Sequence, residues 1–247
     1  MSVPLWVSET AEKFWEAAGG EPHMFPRDLR PPIARALPLT VVLLPRLCVA
    51  NVDAWLREYA GWSSIGIQDR ALRACLIAYH GHGVIFLDGA DPDDEQRFSL
   101  AHELAHFLRD YWHIREAVRE RLGDDVLEVL DGERPPSHGE RAQALLARVQ
   151  IGVHIHLMDR ADDGQPTSSA VDIAEAHADL LAYALLAPAA SVLIEARSFK
   201  DHDCLVEVTR LLREIYGLPM KPAAHYASLL NPPVHDANSL ARRFIEE

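Results

Sequence analysis

A five-residue run, His102-Glu103-Leu104-Ala105-His106, constrains this chain more than any other feature. It lies inside the apolar-periodic stretch Phe98 to Leu108, which reads as a helix. On a helix, residues at i and i+4 lie one above the other on the same face. The two imidazoles can therefore grip one metal ion from adjacent turns, with Glu103 projecting beside them toward a water on that ion. This is the arrangement of zinc hydrolysis: two neutral His ligands, and a carboxylate that takes the proton from an activated water. The chain has 13 His in 247 residues. On such a composition the pattern arises by accident in roughly one sequence in twenty, so its surroundings have to decide.

A structural zinc site closes with four protein ligands, whereas a catalytic one uses three and leaves a position for water. A continuation H-E-x-x-H-x-x-G-x-x-H would supply the third ligand locally. Here Arg109 holds the glycine position and Trp112 that of the final His, which excludes that type. His113 is one residue too far along and rotates off the metal-facing side. Downstream, Glu175-Ala176-His177-Ala178-Asp179 opens a second long helix. Glu175 and Asp179 share a face, so one can bind metal while the other accepts the free ring N–H of a bound His and so fixes its tautomer. Acids in a first turn also complement the helix dipole. Asp179, however, leads straight into Leu180-Leu181-Ala182-Tyr183-Ala184-Leu185-Leu186, and an acid entering so apolar a helix needs a partner. Glu175 is the favoured third ligand, with Asp179 and His177 in supporting positions. His80 and His82 flank a glycine in an exposed turn, and His154 and His156, two apart in an expected strand, read as ordinary strand side chains near the mouth of the site.

Composition narrows the partners. Formal net charge is −13 with 25% charged and 49% hydrophobic residues, an ordinary globular balance without the basic footprint that duplex DNA or an anionic membrane demands. Cys48, Cys75 and Cys204 are odd in number, far apart and without a C-x-x-C, so they read as reduced thiols and not as staples or zinc ligands. The opening MSVPLWVSET has neither a basic nor a long apolar segment, and no uncharged run approaches a membrane span. The cytoplasm is the expected address.

The remaining pattern predicts an α+β chain. Ser8 caps a helix over 9–18 ended by Gly19-Gly20, and a proline-rich extended stretch follows. Leu39 to Leu44 reads as a buried strand, and Asn51 caps a helix over 52–60. Ala74–Tyr79 and Val84–Leu87 form a hairpin around His80-Gly81-His82-Gly83. Asp91-Pro92-Asp93-Asp94-Glu95 starts the motif helix, which is expected to end near Trp112. Helices over 115–122 and 140–150, a strand over 151–158 and a polar loop over 159–168 precede the second long helix, which begins near Ser169 and closes before Pro188. Helices over 189–197, 203–216 and 221–230 and a polar tail complete the chain. The domains read as a lead-in over 1–38, a catalytic domain over 39–188 and a helical segment over 189–247.

With both helices in view, the chain resembles the ImmA/IrrE family of metallo-endopeptidases. Arg97-Phe98-Ser99-Leu100-Ala101-His102-Glu103-Leu104-Ala105-His106-Phe107-Leu108 is close to its "RF-T/S-LAHELGH" signature. Glu175-Ala176-His177-Ala178-Asp179-Leu180-Leu181-Ala182-Tyr183-Ala184-Leu185-Leu186-Ala187-Pro188 is similar to its "E-x-E-A-N-x-F-A-x-x-L-L-M-P" block. The resemblance covers about residues 39–110 and 170–230. It implies a mostly helical, zincin-like and gluzincin-like domain with a small sheet beside the H-E-x-x-H helix, followed by a helix-turn-helix-like segment. By it His102, His106 and Glu175 bind zinc and Glu103 is the general base. His177 departs from the family's second acid, Asp179 from its usual Asn and Leu181 from its usual Phe, and 113–168 is an insertion. Family members often cut a helix-turn-helix repressor after stress, so a cytoplasmic repressor is the implied substrate. Manganese can replace zinc in the same ligand set. Tyr226 or His225 is the candidate to stabilise the oxyanion. The competing expectation is a non-catalytic metal-containing module that inactivates a partner by docking. Direct nucleic-acid binding is disfavoured, because 221–230 lacks an arginine-rich face.

Overall fold

Two apolar runs joined by a two-residue turn form the hairpin at the centre of the sheet, and the turn sets its register. The computed structural model describes residues 3–62, 64–141, 152–160, 169–196 and 204–230. They form an α+β fold whose one sheet has four strands: β1 (Leu39–Leu44), β2 (Leu72–Tyr79), β3 (His82–Asp88) and β4 (His154–Asp159). Their order is β1-β3-β2-β4, with β1 parallel to β3 and the other pairs antiparallel. His80 and Gly81 make the hairpin loop at φ 51 and 76, the positive values a two-residue primed turn requires. The β1 strand lies at the edge of the sheet and is only partly buried, which corrects the expectation of a buried strand.

The chain divides into two compact units: Met1–Ala36 with Pro92–His102 and Gly164–Glu247, and Leu37–Asp91 with Glu103–Asp163. In the second unit, α3 (Val49–Tyr59) covers the sheet through a core of Leu47, Val52, Leu56, Leu72, Cys75, Ile77 and Phe86. Burial pushes the Cys75 thiol well above its ordinary pKa, so it behaves as a small apolar core group. Residues after the motif form α5 (His113–Leu122) and α6 (Val126–Leu130).

In the first unit, α1 (Leu5–Ala17) starts one turn before the expected Ser8 cap, and α2 (Arg30–Ala36) forms where extended chain was expected. Pro31 and Pro32 fall in the first turn of α2, where a missing N–H costs no hydrogen bond. Helix α7 (Ser169–Leu186) buries Ala178, Leu181, Ala182, Tyr183, Leu185 and Leu186, and α8 (Ala189–Ala196), α9 (Cys204–Glu214) and α10 (Met220–Leu230) follow. Arg27, 3% exposed, donates to the Leu185 carbonyl at 2.7 Å and so ties the lead-in to α7. Gly217, at φ 67, turns the chain between α9 and α10, and its carbonyl accepts from Arg97 Nη1 at 2.9 Å. The expected strand start at 151, most of the expected helix over 140–150, the loop over 161–168 and the tail after 230 lie outside the described residues.

Helix α4 (Asp93–His106) begins as the sequence demands, with Asp93, Asp94 and Glu95 in its first turn. It does not end at Trp112. Phe107–Trp112 continues as a π-helical turn that runs directly into α5, with the His113 N–H bonded to the Leu108 carbonyl. Among the described residues no single helix is long and apolar enough to cross a membrane.

Candidate metal centre

Helix α4 runs through both units, His102 closing the part in the first and Glu103 opening the part in the second. His102 is 3% exposed, Glu103 0% and His106 3%. Three polar side chains buried in succession on one helix need partners, because each desolvated group otherwise costs on the order of 1–3 kcal/mol.

In the first unit, α7 supplies both partners of His102. Asp179 Oδ1 lies 2.9 Å from its Nδ1, and Glu175 Oε2 lies 3.2 Å from its Nε2. Glu175 and Asp179 are one turn apart, so a single helix face meets both ring nitrogens. An ionised carboxylate only accepts, so in the neutral state that a metal ligand needs, the imidazole donates Nδ1–H to Asp179 and turns the Nε2 lone pair to Glu175. Two lone-pair atoms 3.2 Å apart repel unless a cation lies between them. A tetrahedral zinc ion with bonds near 2.0 Å holds neighbouring donors roughly 3.3 Å apart. The donor chemistry and spacing therefore fit a metal ion.

In the second unit, His106 takes its carboxylate from its own helix. Its Nδ1 lies 2.7 Å from Asp110 Oδ2, the contact by which a carboxylate fixes an imidazole's tautomer and orientation. Burial acts to raise the Asp110 pKa, but the His106 hydrogen bond and the Arg109 charge outweigh it and hold the carboxyl below its ordinary value. The His156 ring stacks on that of His106 at 3.8 Å and 24°, and its Nδ1 lies 2.9 Å from Glu103 Oε2. Glu103 Oε1 is buried with no hydrogen-bond partner among the described residues. A cleft beside this group is lined by Asp110, Tyr111, Ile114, Arg115, Leu130 and His154. Burial lowers the His154 pKa.

The other expected site residues sit elsewhere. His177 meets the Trp6 ring edge-on at 5.1 Å. Tyr226 is 3% exposed, its O–H donates to the Ala187 carbonyl at 3.1 Å, and its ring stacks on Tyr183 at 4.4 Å. Burial raises its pKa, as it does that of Tyr183, and the hydroxyl is engaged in a buried hydrogen bond. His225 Nδ1 lies 3.2 Å from the Tyr183 hydroxyl. His82, the first residue of β3, is exposed, and His80 Nε2 meets the Asp131 carbonyl at 3.0 Å.

Two functional candidates were missed. Asp110 was legible in principle, since it follows His106 at i+4. His156 reads from the sequence as an ordinary strand side chain, and its acid lies 53 positions away, a separation no local pattern encodes.

A helix presenting H-E-x-x-H, with a carboxylate on the Nδ1 of each imidazole, has the residue types of a metallopeptidase site. Residues 66–122 match the model of the Peptidase_M78 family, described as the IrrE N-terminal-like domain. The match bears out the ImmA/IrrE resemblance over the hairpin, α4 and α5, while Glu175, Asp179 and His156 lie beyond it. No curated protein matches the chain.

Proposed function

We propose that the chain is a zinc-dependent endopeptidase that hydrolyses a peptide bond in a cytoplasmic protein, with a helix-turn-helix repressor as the substrate class. His102, His106 and Glu175 would hold the ion, from a candidate donor group that also contains His156. The observation that carries the reading is the 3.2 Å approach of His102 Nε2 to Glu175 Oε2 while Nδ1 is turned to Asp179. The substrate class rests on the family resemblance alone.

When bound, zinc would supply Lewis acidity, polarising the scissile carbonyl and lowering the pKa of the attacking water toward about 7. The chain's own residues do the rest. Asp179 and Asp110 each hold an Nδ1–H, which fixes both tautomers and keeps both Nε2 lone pairs toward the donor face. Glu103, buried between the two His on one helix, takes the proton of the attacking water at Oε1 and delivers it to the leaving amine. A site that only stabilised the fold would have no use for a buried carboxylate with an unpartnered oxygen, because that oxygen costs stability.

The test is Glu103→Gln against wild type, with zinc content measured by mass spectrometry and cleavage read as new N-termini in a proteome-derived peptide library. The expected outcome is one zinc per chain in both proteins and a loss of cleavage of about 10²- to 10⁴-fold in the variant. Full cleavage by Glu103→Gln would sink the mechanism.

A further inference from the structure

We propose that His156 is the positioning residue for the general base, clamping one oxygen of Glu103 so that the other faces the reacting water. The proposal deepens the peptidase reading and rests on it for the identity of the base. Glu103 is fully buried, and an ionised carboxylate in such surroundings persists only where donors compensate the lost water. His156 Nδ1, 2.9 Å from Oε2, is the side-chain donor to it among the described residues. Oε1, with no partner among the described residues, is left to accept a proton.

A base is useful only if it is held still, and a glutamate side chain has three rotatable bonds. His156 is itself restrained from two directions. Its backbone lies in β4, in register with Leu76 of β2 in an antiparallel ladder. Its ring is flanked by the His106 imidazole at 3.8 Å. Swinging it away would break the stack, whereas a loop residue would have neither restraint. The Nδ1–H bond also sets the geometry of Glu103: with Oε2 fixed, rotation about the terminal bond cannot exchange the two oxygens. His156 therefore selects which oxygen works. Strand β4 lies outside residues 66–122, the segment that matches the family model, so this clamp is contributed by a part of the chain that the match does not reach.

Asparagine can place an amide N–H near the position of Nδ1, whereas glutamine reaches toward that of Nε2. That difference makes the test. Zinc content, kcat and KM are measured on His156→Ala, His156→Asn and His156→Gln, with a peptide that the wild type cleaves in the library. Expected is a fall in kcat of about 10- to 100-fold for His156→Ala, with KM and zinc content unchanged, recovery in His156→Asn and none in His156→Gln. Loss of zinc in His156→Ala, or recovery by Gln in place of Asn, would make His156 a metal ligand and overturn the proposal.

A second measurement needs no activity. Thermal unfolding of the metal-free chain is followed for His156→Ala, Glu103→Gln and the double variant. The proposal expects His156→Ala to lower Tm by several degrees, and by much less in the Glu103→Gln background, because an uncharged amide needs the donor less. Additive shifts would overturn the clamp. Cleavage retained by Glu103→Gln would instead fail the peptidase reading, so the two failures are distinguishable.

Discussion

His102 and His106 stand one turn apart on α4, yet they receive their carboxylates by different routes. His106 is served from within its own helix, by Asp110 at i+4 in the π-helical turn. His102 is served by α7, from residues 73 and 77 positions away. One imidazole is oriented by local geometry and the other by tertiary packing. The first is set as soon as the helix and its π turn form. The second depends on α7 docking its Glu175–Asp179 face. A π turn is a common device at functional sites, and here it carries the carboxylate that orients the His106 imidazole.

The largest effect expected is loss of the ion itself. His102→Ala and His106→Ala should each abolish zinc retention through dialysis, read as zinc per chain. If either kept a full zinc, the symmetric role given to the two imidazoles would be broken. Next come the orienting carboxylates: Asp179→Asn and Asp110→Asn should each weaken zinc affinity by about 10- to 100-fold in a chelator competition. An effect in one and none in the other would mean that a single orientation suffices, and would show whether the local or the long-range route matters.

Smaller changes probe the scaffold under His106. A Cβ on Gly83 would meet Leu39 Cδ1 at 2.5 Å and the Phe107 ring at 2.7 Å. Gly83→Ala should cost about 1–3 kcal/mol by overpacking, seen in denaturant unfolding, because Phe107 follows His106 directly and cannot yield freely. An unchanged midpoint would show that Phe107 moves without penalty.

The smallest effect concerns Asp88, 4% exposed, which accepts from the Arg46 and Ala90 N–H groups and pairs with Arg160. Burial acts to raise its pKa, but those hydrogen bonds and the Arg160 charge bring it below the ordinary value. A depressed folded pKa contributes stability that is complete above the unfolded value of about 3.9 and is lost as pH falls through the lower folded one. The Tm gap between wild type and Asp88→Asn should therefore shrink below about pH 4. A gap constant to pH 3 would contradict that linkage.

Much of this was legible in the sequence, and for identifiable reasons. The α+β class, the hairpin and the start of α4 follow from local patterns: short apolar runs on either side of His80-Gly81, and a proline followed by three acids in the first turn of the helix. The Glu175–Asp179 pair was legible as well, because both spacings are helical and the following run is apolar. What failed was of two kinds. Prolines in the first turn of α2 imitate extended chain, and Phe107–Trp112 carries no signature that separates a π turn from an α-helical one. The Glu103–His156 pair and the burial of the Tyr226 hydroxyl depend on which elements pack together, and residue spacing does not encode that.

The most direct test of the central claim is zinc-edge X-ray absorption on the zinc-loaded chain, which counts imidazole ligands. Two imidazoles with the remaining donors oxygen would agree with His102, His106, Glu175 and a water. Three imidazoles would put His156 on the metal and contradict both the ligand set and the clamp on Glu103.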